Sequence, residues 1–260
     1  MRHSRADTKS GGHSVCEICR LEICNPRTHP TRRGLLRVLG ATTAALAFAG
    51  TGAAKDVKAP PKPQNVVSPD AALERLMKGN ERYVEGETRR HDFKREREAL
   101  VTGQNPYAGI LSCADSRIAP EYAFDSGRGD LFVCRVAGNF ANDDTVASME
   151  YAVAMLNTPL ILVLGHDSCG AVSATIKSLK DNVTLPGHLP SLVTSLAPAV
   201  HATLGQPGNS LDNAIRQNVL DNVAKLKSAT PILSAAVEQR KLKVVGGIYR
   251  LKDGRVEMIA

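Results

Sequence analysis

Pro159-Leu160-Ile161-Leu162-Val163-Leu164 is an apolar run without alternation, and it ends in Gly165-His166-Asp167-Ser168-Cys169-Gly170. Such a run suits a strand buried on both faces of a parallel sheet. Ala171 to Ile176 then reads as the start of a helix. A His and a Cys three residues apart are thereby placed where a central strand ends and a helix begins, the crevice in which open α/β sheets bind ligands. A helix N-terminus also favours an ionised thiol, so Cys169 is placed to be a thiolate.

A second stretch repeats the arrangement. Gly109-Ile110-Leu111-Ser112 is a short apolar strand running into Cys113-Ala114-Asp115-Ser116-Arg117. Two parallel strands of one sheet could bring Cys113, His166 and Cys169 to one point. Two thiolates and an imidazole suit Zn²⁺, and three protein ligands leave a fourth position open, the mark of a catalytic rather than a structural site. The strand order alternates with helices: strands near 108–113, 130–136 and 159–165, a helix near 143–157, then helices over 191–204, 210–228 and 231–240. This predicts an α/β fold, a central, mostly parallel sheet flanked by helices. Lys243–Tyr249 and Arg255–Ile259, separated by Lys252-Asp253-Gly254, read as a closing hairpin.

These two motifs together resemble the paired signature of the β-class carbonic anhydrases. The stretch between agrees: Gly129-Asp130-Leu131-Phe132-Val133-Cys134-Arg135-Val136-Ala137-Gly138-Asn139, then Ala147-Ser148-Met149-Glu150-Tyr151-Ala152-Val153. The resemblance runs from about Ala71 to the C-terminus. It implies a fold of that family and one Zn²⁺ per chain, held by Cys113, His166 and Cys169. It also implies reversible hydration of CO₂ to bicarbonate and a proton by zinc-bound hydroxide. Asp115, gripped by Arg117, would orient the nucleophile, and if released it could fill the fourth zinc position itself. Gln104 would donate to substrate oxygen. Phe132 and Tyr151 would line an apolar CO₂ pocket at a subunit boundary, and Gly170 would allow close approach beside the metal. Asp167 has two readings, helix cap or support for His166. Family members are at least dimeric, and their first helix reaches over a partner; Leu73, Leu76, Met77 and Tyr83 would form its apolar face. The tryptophan of an inhibitory bicarbonate site in some bacterial members is replaced here by Ile110.

Of the 260 residues, 43% are hydrophobic and 23% charged, enough for one sizeable core. The net charge of +7 is concentrated at the start. Residues 1–54 hold eight Lys/Arg against three Asp/Glu, so only +2 remains for the rest. With no basic stripe carrying aromatics, a nucleic-acid partner is not expected. The leader contains Thr31-Arg32-Arg33-Gly34-Leu35-Leu36-Arg37, an apolar stretch to Ala49, and small residues to Ala54. It resembles a twin-arginine export signal and implies engagement of that machinery and a periplasmic or otherwise exported enzyme. Residues 55–67 read as a Pro-rich linker and 68–260 as the folded domain, opening on a helix capped by Ser68 or Asp70. Arg89 to Glu98 reads as a solvated helix. Cys16, Cys19 and Cys24, with His13 and His29, could hold a second zinc or form a redox pair, but no apolar pattern supports a fold around them. Cys134, inside an apolar strand, reads as core. His188 and His201 read as exposed.

Two rivals use the same residues. A CS₂ or COS hydrolase would keep the ligands and differ in its access tunnel. A non-catalytic zinc protein serving assembly would fill its fourth position permanently, which an intact Asp115–Arg117 pair weighs against.

Overall fold

The computed structural model describes residues 66–260. The leader, the twin arginine, the cysteines of the leader and linker residues 55–65 lie outside the described residues. Val67, just before the first helix, packs against the core.

Helix α1 (Pro69–Glu85) begins where expected: Ser68 Oγ accepts the Ala71 amide at 3.3 Å, Pro69 occupies the first turn, and Gly86 ends it in a left-handed conformation. α2 is shorter than the charged stretch predicts, spanning Phe93–Leu100, because the Asp92 side chain accepts the Arg95 amide and caps the helix there. Then follow β1 (Ala108–Ser112), α3 (Pro120–Ala123), β2 (Leu131–Arg135), α4 (Asp143–Leu156), β3 (Leu160–His166), α5 (Gly170–Asp181), α6 (Leu189–Ala202), α7 (Ser210–Ser228), α8 (Ile232–Glu238), β4 (Lys243–Tyr249) and β5 (Val256–Met258).

The strands form one five-stranded sheet in the order β2-β1-β3-β4-β5, parallel except for β5, which returns antiparallel to β4. The α/β expectation, with a mostly parallel central sheet, holds. Every residue of β3 is buried. Its side chains nonetheless divide by parity: Leu160, Leu162 and Leu164 join the core under α1, while Ile161 and Val163 join the core under α4, α7 and α8. This explains why an unbroken apolar run is a strand here, since both faces are covered by helices. Gly165 is required for close packing: a Cβ there would lie 2.6 Å from Val219 of α7.

The expected exposed apolar face on the first helix is not found. Leu76 is fully buried, and Leu73, Met77 and Tyr83 pack against the chain's own core. The sheet face beneath α1 is apolar and needs cover, so the chain spends that stripe on itself. Exposed apolar side chains lie instead on α4, at Tyr151 and Met155.

Candidate metal centre

From β1 the chain goes to β2 on one side, and later to β3 on the other. The C-terminal ends of β1 and β3 therefore flank a point where the connections diverge, which in open α/β sheets opens a crevice. Cys113 leaves β1 there and His166 ends β3. The turn after His166 carries Ser168 at φ +53, a left-handed position, and returns the chain so that Cys169 becomes the N-cap of α5. The ligand atoms of Cys113, His166 and Cys169 all lie within 4.8 Å of one another, and all three residues are buried.

The protonation pattern fits a cation. His166 Nδ1 lies 2.8 Å from the Asp167 carbonyl, which can only accept, so Nδ1 carries the proton. This leaves Nε2 as a lone-pair donor, buried and without a hydrogen-bond partner among the described residues. An orphaned imidazole nitrogen beside two sulfurs is what a soft, tetrahedral metal would satisfy. Hydrogen bonding from Cys169 lowers the Cys113 thiol, burial opposes that, and His166 and the backbone amides of Gly138 and Asp115 help to lower it to about 4. Cys169 moves upward, against expectation: its neighbour Cys113 and burial outweigh the Val172 and Ala171 amides at the helix start. The two thiols share one proton, and a bound dication supplies the charge that lets both ionise.

Asp115 stands beside this cluster. Its Oδ1 accepts the Arg117 amide and Nε, both at 2.9 Å, its Oδ2 accepts Arg117 Nη2 at 2.6 Å, and Oδ2 lies 3.9 Å from His166 Nε2. The Arg117 guanidinium holds the carboxyl well below the usual carboxylate range. Arg135, the last residue of β2, was given no role from sequence. Its Nε donates to the Cys113 carbonyl at 3.0 Å and its Nη2 to the Asp115 carbonyl at 2.7 Å, fixing the segment between ligand and carboxylate. The register pairing Ser112 with Arg135 is the signal that could have found it, because it sets Arg135 beside the start of that segment.

Asp167 serves neither expected role through its side chain. Its carbonyl takes the His166 proton, while its carboxylate accepts the Leu251 amide at 3.1 Å and ties the site to the turn before β5. Gly170 follows Cys169, and a Cβ on it would meet nothing within 4 Å. Gly170 is exposed at the start of α5.

The other expected residues stand apart from this cluster. Phe132 and Tyr151 pack on each other, ring centroids 6.3 Å apart. Phe132 pairs with Gly109, three residues below the Ser112–Arg135 pair at the rim, or about 10 Å at 3.3 Å per residue. Gln104 is exposed and precedes β1, whose far end leads into Cys113; the strand alone spans about 16 Å. Cys134 is half-buried on the edge strand and packs against the core, and burial pushes its thiol up. His188 and His201 are exposed, as expected.

A family model described as carbonic anhydrase matches residues 108–256, from the first residue of β1 to the first of β5. Carbonic anhydrase 2 of Mycobacterium tuberculosis is 40% identical over 72% of this chain and 91% of its own length. This chain belongs to the β-class carbonic anhydrases. The carbonic anhydrase of Mycolicibacterium smegmatis is 38% identical over 74% of the chain and 93% of its own length. Among solved structures, that of the β-carbonic anhydrase CcaA superposes with a TM-score of 0.56 at 29% identity, covering 72% of this chain and 95% of that one. A tetrameric β-carbonic anhydrase of Sordaria macrospora shares the fold, with a TM-score of 0.57 at 22% identity over 74% of this chain and 95% of that one. As a β-carbonic anhydrase the chain is a zinc enzyme, and the Cys113–His166–Cys169 group is the place for that ion.

Proposed function

We propose that this enzyme catalyses reversible hydration of CO₂ to bicarbonate and a proton, with Cys113, His166 and Cys169 holding zinc and Asp115 and Arg117 governing the open position. The observation that carries this reading is the Asp115 carboxylate, locked in two places by Arg117 and held 3.9 Å from His166 Nε2. A purely structural cluster has no use for an ionised carboxylate aimed at its open side.

Bound zinc supplies Lewis-acid activation, lowering the pKa of water from about 15.7 toward neutrality. Two thiolates offset the ion's charge, so activation is weaker than with three imidazoles and high activity calls for alkaline pH. The chain's own groups do the rest. Asp115, kept ionised by Arg117, can only accept a hydrogen bond, so it takes one from the attacking water and orients its lone pair toward CO₂. Arg135 holds the backbone on both sides of Ala114, which fixes the distance between Cys113 and Asp115.

The same reading makes the enzyme a homo-oligomer. Gln104, Phe132 and Tyr151 lie away from their own chain's metal cluster, so a role for them at substrate requires a neighbouring subunit's site. The exposed apolar face of α4 supports such a contact. The twin arginine supports export, with zinc acquired before the thiols meet an oxidising compartment.

Stopped-flow CO₂ hydration by the chain beginning at residue 55, with zinc measured on the same sample, tests the proposal. Hydration scaling with zinc content is expected. A fully zinc-loaded protein that does not hydrate CO₂ would overturn it.

A further inference from the structure

The loop between β2 and α4 supplies an amide to the metal site from a turn that the Asn139 amide closes by donating to the Val136 carbonyl at 2.9 Å. Gly138 donates its N–H to Cys113 Sγ at 3.3 Å from a backbone with φ +89, where a Cβ would collide with Leu196 at 2.8 Å. Glycine permits this conformation but does not enforce it, because it rotates more freely than any other residue.

A second, long-range restraint comes from α7. Asn218 and Asn222 are four residues apart on that helix and 2% and 7% exposed. Asn222 Oδ1 accepts the Ala141 amide at 2.7 Å, which obliges its NH₂ group to face back along the helix. There it donates to the Asn218 carbonyl at 2.7 Å and to Asn218 Oδ1 at 3.0 Å. With its oxygen so occupied, Asn218 turns its own NH₂ outward and donates to the Gly138 carbonyl at 2.8 Å. Each amide can adopt only one orientation, since reversing either would set oxygen against oxygen or N–H against N–H. The chain of donors starts on the loop at Ala141 and ends on the loop at Gly138, and in a buried setting its members reinforce one another. Lys225, one turn further on, donates to the Ala141 carbonyl at 2.5 Å and closes the bracket.

We propose that Asn218, oriented by Asn222, is a positioning residue of the metal centre: by holding the Gly138 carbonyl it aims the Gly138 N–H at the Cys113 sulfur and so sets how firmly the site retains zinc. This chain of buried amides ends on a glycine whose own N–H touches a ligand atom. Outer partners of this kind typically change metal affinity by about 10–100-fold when removed. The inference rests on the zinc reading above.

The test uses the zinc-loaded enzyme and a chromogenic chelator, with melting temperature measured alongside. Asn218→Leu, close in size but without donor or acceptor, should release zinc to the chelator about 10–100-fold more readily than wild type. The Co²⁺-substituted variant should show a shifted thiolate-to-metal charge-transfer band. Leu233→Ala, a buried cavity change on α8, serves as the reference for general destabilisation and should lower the melting temperature with zinc affinity unchanged. If Asn218→Leu does not fold, Asn222→Leu decides: it keeps Asn218 but frees its orientation, and should weaken zinc in the same direction by less. Unchanged zinc affinity and an unshifted cobalt spectrum in whichever variant folds would overturn the proposal, as would a loss of affinity matched by Leu233→Ala. A wild-type protein that binds no zinc would instead remove the reading on which it rests.

Discussion

Asp115 and Arg117 form a closed pair in which both carboxylate oxygens are engaged by the guanidinium, and the shared oxygen Oδ2 also faces His166 Nε2 at 3.9 Å. The carboxylate is therefore within a small rotation of the ligand set, and the hydrogen bonds to Arg117 hold it back. Arg117→Ala should leave zinc bound but free Asp115 to take the fourth coordination position. CO₂ hydration should fall by at least the ~10–100-fold of lost outer support. Asp115→Asn should also be impaired, yet with water still in that position, because its amide lacks the charge to displace it. X-ray absorption together with stopped-flow hydration separates the two. Unaltered hydration in Arg117→Ala, with water still the fourth ligand, would sink the gate.

Each of the three ligands should be indispensable, because zinc affinity requires all of them at once. Cys169→Ala and His166→Ala should purify nearly free of zinc, whereas Cys134→Ser should retain about one ion per chain, since Cys134 packs in the core of the sheet's edge. Elemental analysis of the purified variants gives the answer, and full zinc in Cys169→Ala would refute the ligand set.

Much of this was legible because it is local. Three parallel strands announce themselves as short apolar runs, and the ligands lie at the ends of two of them: Cys113 follows β1, His166 ends β3 and Cys169 comes three residues later. The hairpin of β4 and β5 follows from Lys252-Asp253-Gly254 between two apolar strands. What escaped is what depends on long-range packing. Nothing local marks Asn218 and Asn222 as interior, and only the arrival of the 138–141 loop makes them so. The apolar stripe of α1 gives no hint whether it covers its own sheet or a neighbour; the uncovered sheet face decides, and α1 takes it. Asp167 shows the same limit, since two local readings were open and the side chain answers to Leu251, 84 residues on.

The buried Asp125 makes acid stability testable. Burial pushes its carboxyl up, but Arg82 Nε at 2.6 Å, the Arg89 amide at 3.0 Å and both guanidiniums outweigh that, so its pKa is net lowered. A depressed carboxyl contributes stability above its unfolded pKa, about 3.9, and that stability is lost as pH falls through the folded value. Arg82→Gln should therefore destabilise the protein at pH 7, by less than the roughly 3–5 kcal/mol of a fully buried pair because Arg82 is partly exposed. The gap from wild type should shrink as pH drops below about 4. Urea unfolding from pH 7 to pH 3 measures it, and a gap that stays constant would contradict the assignment.

Export should depend on the leader and not on the enzyme. Arg32→Lys combined with Arg33→Lys should leave a folded, zinc-loaded, active protein in the cytoplasm. Fractionation of cells expressing each form settles the point. Normal export of the double variant, or a wild type never found outside the inner membrane, would refute the twin-arginine proposal.

Assembly should depend on α4. Tyr151 is 50% and Met155 67% exposed, one helical turn apart, beside the exposed Ala147 and Ala154. These four lie at the i, i+4, i+7 and i+8 positions of one helix face, and an apolar stripe of that width is costly to leave in water. A second copy of the chain is the occupant that also accounts for Phe132 and Gln104, which lie away from their own metal cluster. Met155→Glu removes the burial of a methionine side chain, worth about 1.5–3 kcal/mol. At 1.4 kcal/mol per tenfold, this should weaken association by roughly 10–100-fold. Because the proposed substrate contacts cross the interface, activity should fall with dilution in step with dissociation, while zinc content stays unchanged. Sedimentation velocity and hydration rate, followed over the same dilution series, test both halves. A Met155→Glu protein that remains assembled would rule out α4 as the interface. A fully active monomer would remove the need for a neighbour altogether, and with it the roles proposed for Gln104, Phe132 and Tyr151.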